Sequence, residues 1–179
     1  VTRRLGLLGG ECTGKTTLAE ALSREWGAAV VPERLRAFVE EHGRTPRADE
    51  QAGLLQAQQE AEDEAAAAAA VVVADPAALM TAIYSVAYFA DDGLLDRGCR
   101  LAAGYDLLVW CGTGLPWAPD GLQRDGPHER ARVDGIIGRV VRERLEPAGI
   151  VVAHVDGPTP DRVRAVRRAW HRLPPEAPT

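Results

Sequence analysis

Gly9-Gly10-Glu11-Cys12-Thr13-Gly14-Lys15-Thr16 satisfies the spacing GxxxxGK[S/T], with an apolar run before it and a helical pattern after it. Glycines at these positions let the backbone bend so that successive N–H groups face inward. A helix starting here adds about half a positive charge at its N-terminus. Lys15 brings a mobile full charge within reach of β- and γ-phosphates, and the Thr16 hydroxyl can ligate Mg²⁺. The expected cradle for ATP therefore comprises Gly9, Gly10, Glu11, Cys12, Thr13, Gly14, Lys15, Thr16 and Thr17, with the side chains of Glu11 and Cys12 turned outward. Lys15 is the only lysine in a chain whose other basic side chains, apart from histidine, are all arginine. A planar guanidinium substitutes poorly for a compact ammonium reaching over a tight loop.

Other residues could complete a phosphoryl-transfer site. Asp75 closes a Val-rich run and is placed to join a Mg²⁺ shell or to act on substrate, although an Asp before Pro76 can also cap a helix. Glu33 follows the second β-like run, with Arg34 and Arg36 close behind. Glu33 or Asp75 could then orient or deprotonate an acceptor hydroxyl while an arginine steadies negative charge. Arg124, Arg130 and Arg132 lie in or just after a stretch rich in Gly, Pro and Asp. That composition suits a lid at about 117–135, in which one arginine could neutralise transition-state charge. Tyr84 and Trp117 could stack on a flat base. The four histidines show no ligand spacing.

The elements that must position these groups are legible from periodicity. Five β-like runs cover 3–8, 28–31, 71–74, 106–110 and 150–155. Between them, Leu18, Leu22 and Trp26 recur at helical spacing up to Gly27. Residues 49–70 are rich in Gln, Glu and Ala, and helical patterns cover 130–145 and 162–170. Alternating strands and helices imply an α/β three-layer sandwich: a five-stranded, mainly parallel sheet with helices on both faces, and ligands at the carboxyl ends of the strands. With 179 residues we expect one domain over 1–173 and a frayed tail over 174–179.

A net charge of −5 and a pI near 5.4 argue against a nucleic-acid partner. Cys12, Cys99 and Cys111 have neither CxxC spacing nor a nearby histidine pair, so reduced thiols are expected rather than a disulfide framework or zinc site. The apolar run at the start stops at Glu11, too soon for a signal peptide, and no stretch reaches the ~18 apolar residues of a membrane span. The expected location is the cytoplasm, with no membrane partner.

The segments GGECTGKTTL, PERLRAFVEEHG, VVVADP, YDLLVWC and WAPDGLQRDG, in this order, resemble the ribosylnicotinamide kinase domain of NadR-type proteins and the AAA-type P-loop ATPases grouped with it. The resemblance implies a P-loop NTPase fold of the nucleotide-kinase type, ATP with Mg²⁺, and phosphorylation of the 5′-hydroxyl of nicotinamide riboside or a similar nucleoside, a step of NAD biosynthesis. Glu33 and Arg36 match that family's Glu-x-x-Arg. Asp75 matches the first acid of its Asp-x-Asp, and Trp117, Asp120, Gly121 and Leu122 match its loop. Two departures stand out: Ala77 replaces the second acid, and Gln123 takes the place of an arginine that here comes one residue later, at Arg124. The leading expectation is a small-molecule kinase. The alternatives are a regulatory ATPase acting through a protein partner and a nucleoside-monophosphate kinase.

Overall fold

A computed structural model describes residues 2–117 and 126–174. Along the chain run β1 (Arg3–Leu8), α1 (Lys15–Trp26), β2 (Ala29–Pro32), α2 (Arg34–His42), a 3₁₀ turn (Ala48–Glu50) leading into α3 (Gln51–Ala68), and β3 (Val71–Asp75). There follow α4 (Leu79–Phe89), α5 (Leu95–Ala102), β4 (Leu107–Cys111), α6 (Pro127–Val140) continued by a π-helical turn (Val141–Leu145), β5 (Val152–Val155) and α7 (Thr159–Arg172). Each expected β-like run is a strand. The sheet order is β2-β3-β1-β4-β5, and every pairing is parallel. The chain moves outward from β1 to one side and then to the other, so the loop after β1 opens at the point where the strand order reverses.

Side chains alternate across the central strands. Leu5 and Leu7 of β1, Val73 of β3, and Leu107, Val109 and Cys111 of β4 pack with Leu18 and Leu22 of α1 and Val166 of α7. Leu8, Ala74 and Leu108 face the other way, into a core shared by Leu55 of α3, Leu79 and Ile83 of α4, and Val133 and Ile137 of α6. Both faces are thus covered, which is why these strands read as unbroken aliphatic runs.

Residues 79–102, to which no periodicity assigned an element, form α4 and α5. Helix α4 buries Leu79, Met80, Ala82, Ile83, Tyr84, Ser85 and Ala87, most of its circumference, so it carries no polar stripe to mark the helical period. The capping reading of Asp75 is also corrected. Helix α4 begins only at Leu79, and the backbone N–H of Ala78 before it is taken by Glu62 and Tyr105 instead.

Glu62 of α3 is 4% exposed and accepts hydrogen bonds from the Tyr105 hydroxyl, the Gln58 side-chain amide and the Ala78 N–H. Burial outweighs these donors and raises its carboxyl from the ordinary 4.5 to about 7. The folded state therefore binds this proton more tightly than the unfolded chain does. The stability it contributes is complete below the unfolded value and is lost as pH rises through about 7, a change on the order of 3 kcal/mol. Urea unfolding midpoints at pH 5 and pH 8 should show wild type losing more stability across this window than Glu62→Gln. Identical losses in the two proteins would contradict the assignment.

Candidate active site

The loop between β1 and α1 bends through Gly9 (φ 152°), Cys12 (φ 53°) and Gly14 (φ 76°). At Gly9 a Cβ would lie 2.6 Å from Thr13 Oγ1, so only glycine fits. Cys12 holds a left-handed conformation without being glycine, the kind of local cost that persists where the surroundings enforce it. Thr13 is buried, and its hydroxyl donates to the Gly10 carbonyl at 2.8 Å. Lys15 Nζ arches back over the loop to the same carbonyl, also at 2.8 Å. The ammonium is thus stationed above the cradle, ready to exchange a carbonyl for a phosphate oxygen.

This loop forms one wall of a cleft of about 210 Å³ whose opposite side carries Glu33, Arg36 and Tyr84. Glu11 and Cys12 also border it. Thr16 and Thr17 stand exposed in the first turn of α1 and line the same wall. Glu33 occupies the N-cap position of α2 but makes no capping bond with its side chain. Burial raises its carboxyl above the ordinary carboxylate value. Lys15 and Arg36 pull it down, and Asp75 adds to the rise.

Asp75 ends β3 in register with Pro32, so it and Glu33 leave neighbouring strands one residue out of step. Asp75 is 6% exposed, and its buried Oδ1 has no hydrogen-bond partner among the described residues. An orphaned carboxylate oxygen is costly unless something else completes it, and a hydrated cation or a hydroxyl would do so. The Asp75 oxygen and the exposed Thr16 hydroxyl are both donors of the kind that Mg²⁺, a hard ion, prefers.

The arginines divide. Arg130 of α6 donates to the Leu115 carbonyl at 2.9 Å and the Cys12 carbonyl at 3.3 Å, so it is docked on the back of the loop. Arg132 is held by Glu129 and the Ala87 carbonyl, near the Tyr88 ring. Arg124 and Asp120 lie outside the described residues. Trp117 is half-buried and takes no part in the described cleft wall. Cys111 is an inert core thiol pushed up to about 11 by burial.

One residue that sequence reasoning missed is Arg162, which is 1% exposed in the first turn of α7. Its guanidinium donates to the carbonyls of Thr13 in the loop, Gly112 after β4 (3.3 Å) and Gly157 after β5 (2.7 Å), and to Asp156 Oδ1 at 3.3 Å. Three strand ends are thereby tied to one side chain. The only available signal was its place just after the turn that follows the last strand, where the carboxyl ends converge.

A family model described as an AAA domain matches residues 4–162. The chain belongs to this AAA domain family. No curated protein matches it. Among solved structures, this AAA domain is similar to a NadR protein in complex with NR, with TM-score 0.77 and 19% identity over 96% of this chain and 51% of that one. It is also similar to deoxyadenosine kinase from M. mycoides with dCMP and dCDP bound, at TM-score 0.66 and 11% identity over 94% of this chain and 98% of that one. Thymidylate kinase from Candida albicans gives TM-score 0.67 and 15% identity over 95% and 90%. The chain spans about half the length of the NadR protein. At these identities the likeness establishes the fold, the P-loop nucleotide-kinase type expected from the sequence.

Replacing Arg162 leaves three carbonyls without their donor and frees the loop backbone, a loss on the order of 3 kcal/mol. Arg162→Met should lower the melting temperature and weaken ATP binding about tenfold or more by calorimetric titration. Unaltered ATP affinity in a destabilised variant would show that the loop keeps its shape without this anchor.

Proposed function

We propose that this AAA domain is an ATP-dependent small-molecule kinase that phosphorylates the 5′-hydroxyl of a nucleoside such as nicotinamide riboside. The reading is carried by the pairing of Glu33 and Asp75 beside Lys15, with a buried Asp75 oxygen that no described residue satisfies. The likeness to a NadR protein in complex with NR and to deoxyadenosine kinase supports a nucleoside acceptor.

In this mechanism the inward N–H groups of the Gly9–Thr16 loop and the Lys15 ammonium bind the donor phosphates and offset charge as it spreads over the γ-phosphoryl group. Thr16 and Asp75 would hold Mg²⁺, which supplies further charge neutralisation on the phosphate oxygens. Glu33, raised above the ordinary carboxylate value, accepts the hydroxyl proton as the acceptor oxygen bonds to the γ-phosphorus and the bond to ADP breaks. Arg36 steadies negative charge at the acceptor side, and the largely buried Tyr84 completes this wall of the cleft.

The composition of the wall weighs against a nucleoside monophosphate as acceptor. Arg36 is the one guanidinium in the described wall, opposed by Glu11 and Glu33, so a second phosphate would meet carboxylates rather than an arginine cluster. A regulatory ATPase is favoured by Ala77, which is 1% exposed and packed toward Gly6 of β1, so the turn after β3 carries one acid instead of two.

Incubation with γ-labelled ATP and a nucleoside panel separates these readings. Label on a nucleoside supports the kinase, and label appearing only as free phosphate supports the ATPase. Lys15→Ala should abolish transfer while the fold still melts cooperatively. Glu33→Gln should lower kcat about 10²-fold or more. In wild type, kcat/KM should fall as pH drops through the raised Glu33 value, because the base must be ionised, and that limb should be missing in Glu33→Gln. The same limb persisting in the variant would remove Glu33 from the role of base.

A further inference from the structure

Gln58 lies within α3, yet it is only 3% exposed. A buried amide in a helix interior is costly unless both of its ends are satisfied. Here both are, and neither by its own helix backbone. Oε1 accepts the backbone N–H of Arg34 at 3.0 Å, while Nε2 donates to the Pro76 carbonyl at 3.2 Å and to Glu62 Oε1 at 3.3 Å. The orientation of the amide is fixed by its partners, because an N–H can only donate and a carbonyl can only accept.

The two backbone groups have a common property. Arg34 follows Glu33 and Pro76 follows Asp75, so one side chain grips the chain directly after each of these two carboxylates. The Arg34 N–H is a first-turn donor of α2, which a helix cannot satisfy internally. An N-cap side chain reaches the second or third N–H of a helix rather than the first, so this donor needs a partner from outside α2. Gln58 reaches across from α3 to supply it, while the Glu33 side chain at the N-cap makes no cap bond. Glu62, one turn further along α3, serves the other loop by accepting the Ala78 N–H ahead of α4. An i, i+4 pair on one face of α3 therefore holds the segments following β2 and β3.

We infer that Gln58 is a positioning residue: by accepting the first N–H of α2 and clasping the Pro76 carbonyl, it ties together the segments that carry Glu33 and Asp75 and sets their spacing. The inference rests on the reading of Glu33 and Asp75 as acceptor-side groups. Lys15, Arg36 and Asp75 are the charged groups that act on Glu33, and Gln58 touches none of them directly.

The test replaces Gln58 by Met, which preserves volume and removes the hydrogen bonds. With Gln58 gone, the segments that carry Glu33 and Asp75 lose their common tie, which loosens the burial that raises the Glu33 carboxyl. Its titration, followed by carbon NMR of the side chain, should move down toward the ordinary range. With an acceptor nucleoside, kcat/KM should fall about tenfold or more while KM for ATP stays within about twofold. A folded Gln58→Met whose Glu33 titrates as in wild type would overturn the inference and leave Gln58 a space-filling residue. Should the variant not fold, amide exchange in wild type decides: protection of the Arg34 N–H comparable to that of β3 amides supports the tie, and rapid exchange overturns it. If wild type phosphorylates no nucleoside, the proposed function fails, whereas the Glu33 titration and the Arg34 exchange still report on Gln58.

Discussion

A loop that turns its N–H groups inward toward an anion must turn carbonyls away from it, and those carbonyls need donors as surely as the anion does. The organisation of this site follows from that constraint. The Gly10 carbonyl takes the Lys15 ammonium and the Thr13 hydroxyl, the Thr13 carbonyl takes Arg162, and the Cys12 carbonyl takes Arg130. Lys15 must be free to leave for a phosphate, so the permanent anchoring falls to two guanidiniums from α6 and α7, which are far away in sequence. Because Arg162 also holds the ends of β4 and β5, the cradle is fixed to the sheet edge rather than to its own flanking elements alone. The same cations place positive charge behind the loop, where it favours an anionic ligand in front without occupying its space.

The acceptor side answers a parallel problem by dividing labour. Glu33 and Asp75 are useful only if their oxygens are not spent on local backbone, although both positions border helices whose first N–H groups lack partners. Helix α3 removes the conflict by lending Gln58 and Glu62 to those backbone groups. The cost is visible in Glu62, a carboxylate confined with Tyr105 and driven well up its titration range by burial. Stability at neutral pH is thus lowered by the carboxylate that satisfies the N–H ahead of α4.

What the sequence made legible follows from which interactions are local. The β1 run, the glycine spacing and the helix that begins at Lys15 are contiguous, so their geometry can be derived from short-range rules. The parallel sheet followed from aliphatic runs separated by helical stretches. Helices α4 and α5 escaped because α4 is apolar on nearly every side and loses the contrast that reveals a period. Gln58, Glu62 and Arg162 escaped for a different reason. Gln58 and Arg162 bond mainly to backbone groups, which have no residue type to recognise, and Glu62 meets the Tyr105 hydroxyl and the Ala78 N–H only once the chain has folded. Asp75 and Glu33 could be singled out because strand ends attract function in this topology. Whether either was spent on a cap could be settled only by finding which residues take the N–H groups beside it.

Ala77 shows how far the surroundings restrict the site. Its N–H donates to the Leu7 carbonyl at 3.0 Å, and its methyl group lies where a Cβ on Gly6 would come within 2.8 Å. The turn after β3 is therefore laced to β1, with Ala77 pressed into the core while Asp75 stays at the cleft. A carboxylate at position 77 in this packing would be buried beside aliphatic carbon without a partner, a far greater cost than the one Asp75 bears next to Lys15 and the loop. The single acid of this turn is thus a consequence of how tightly it closes on β1. Closure on β1 and the Gln58 clasp on Pro76 together leave Asp75 the one acid of this turn, with an oxygen that no described residue satisfies.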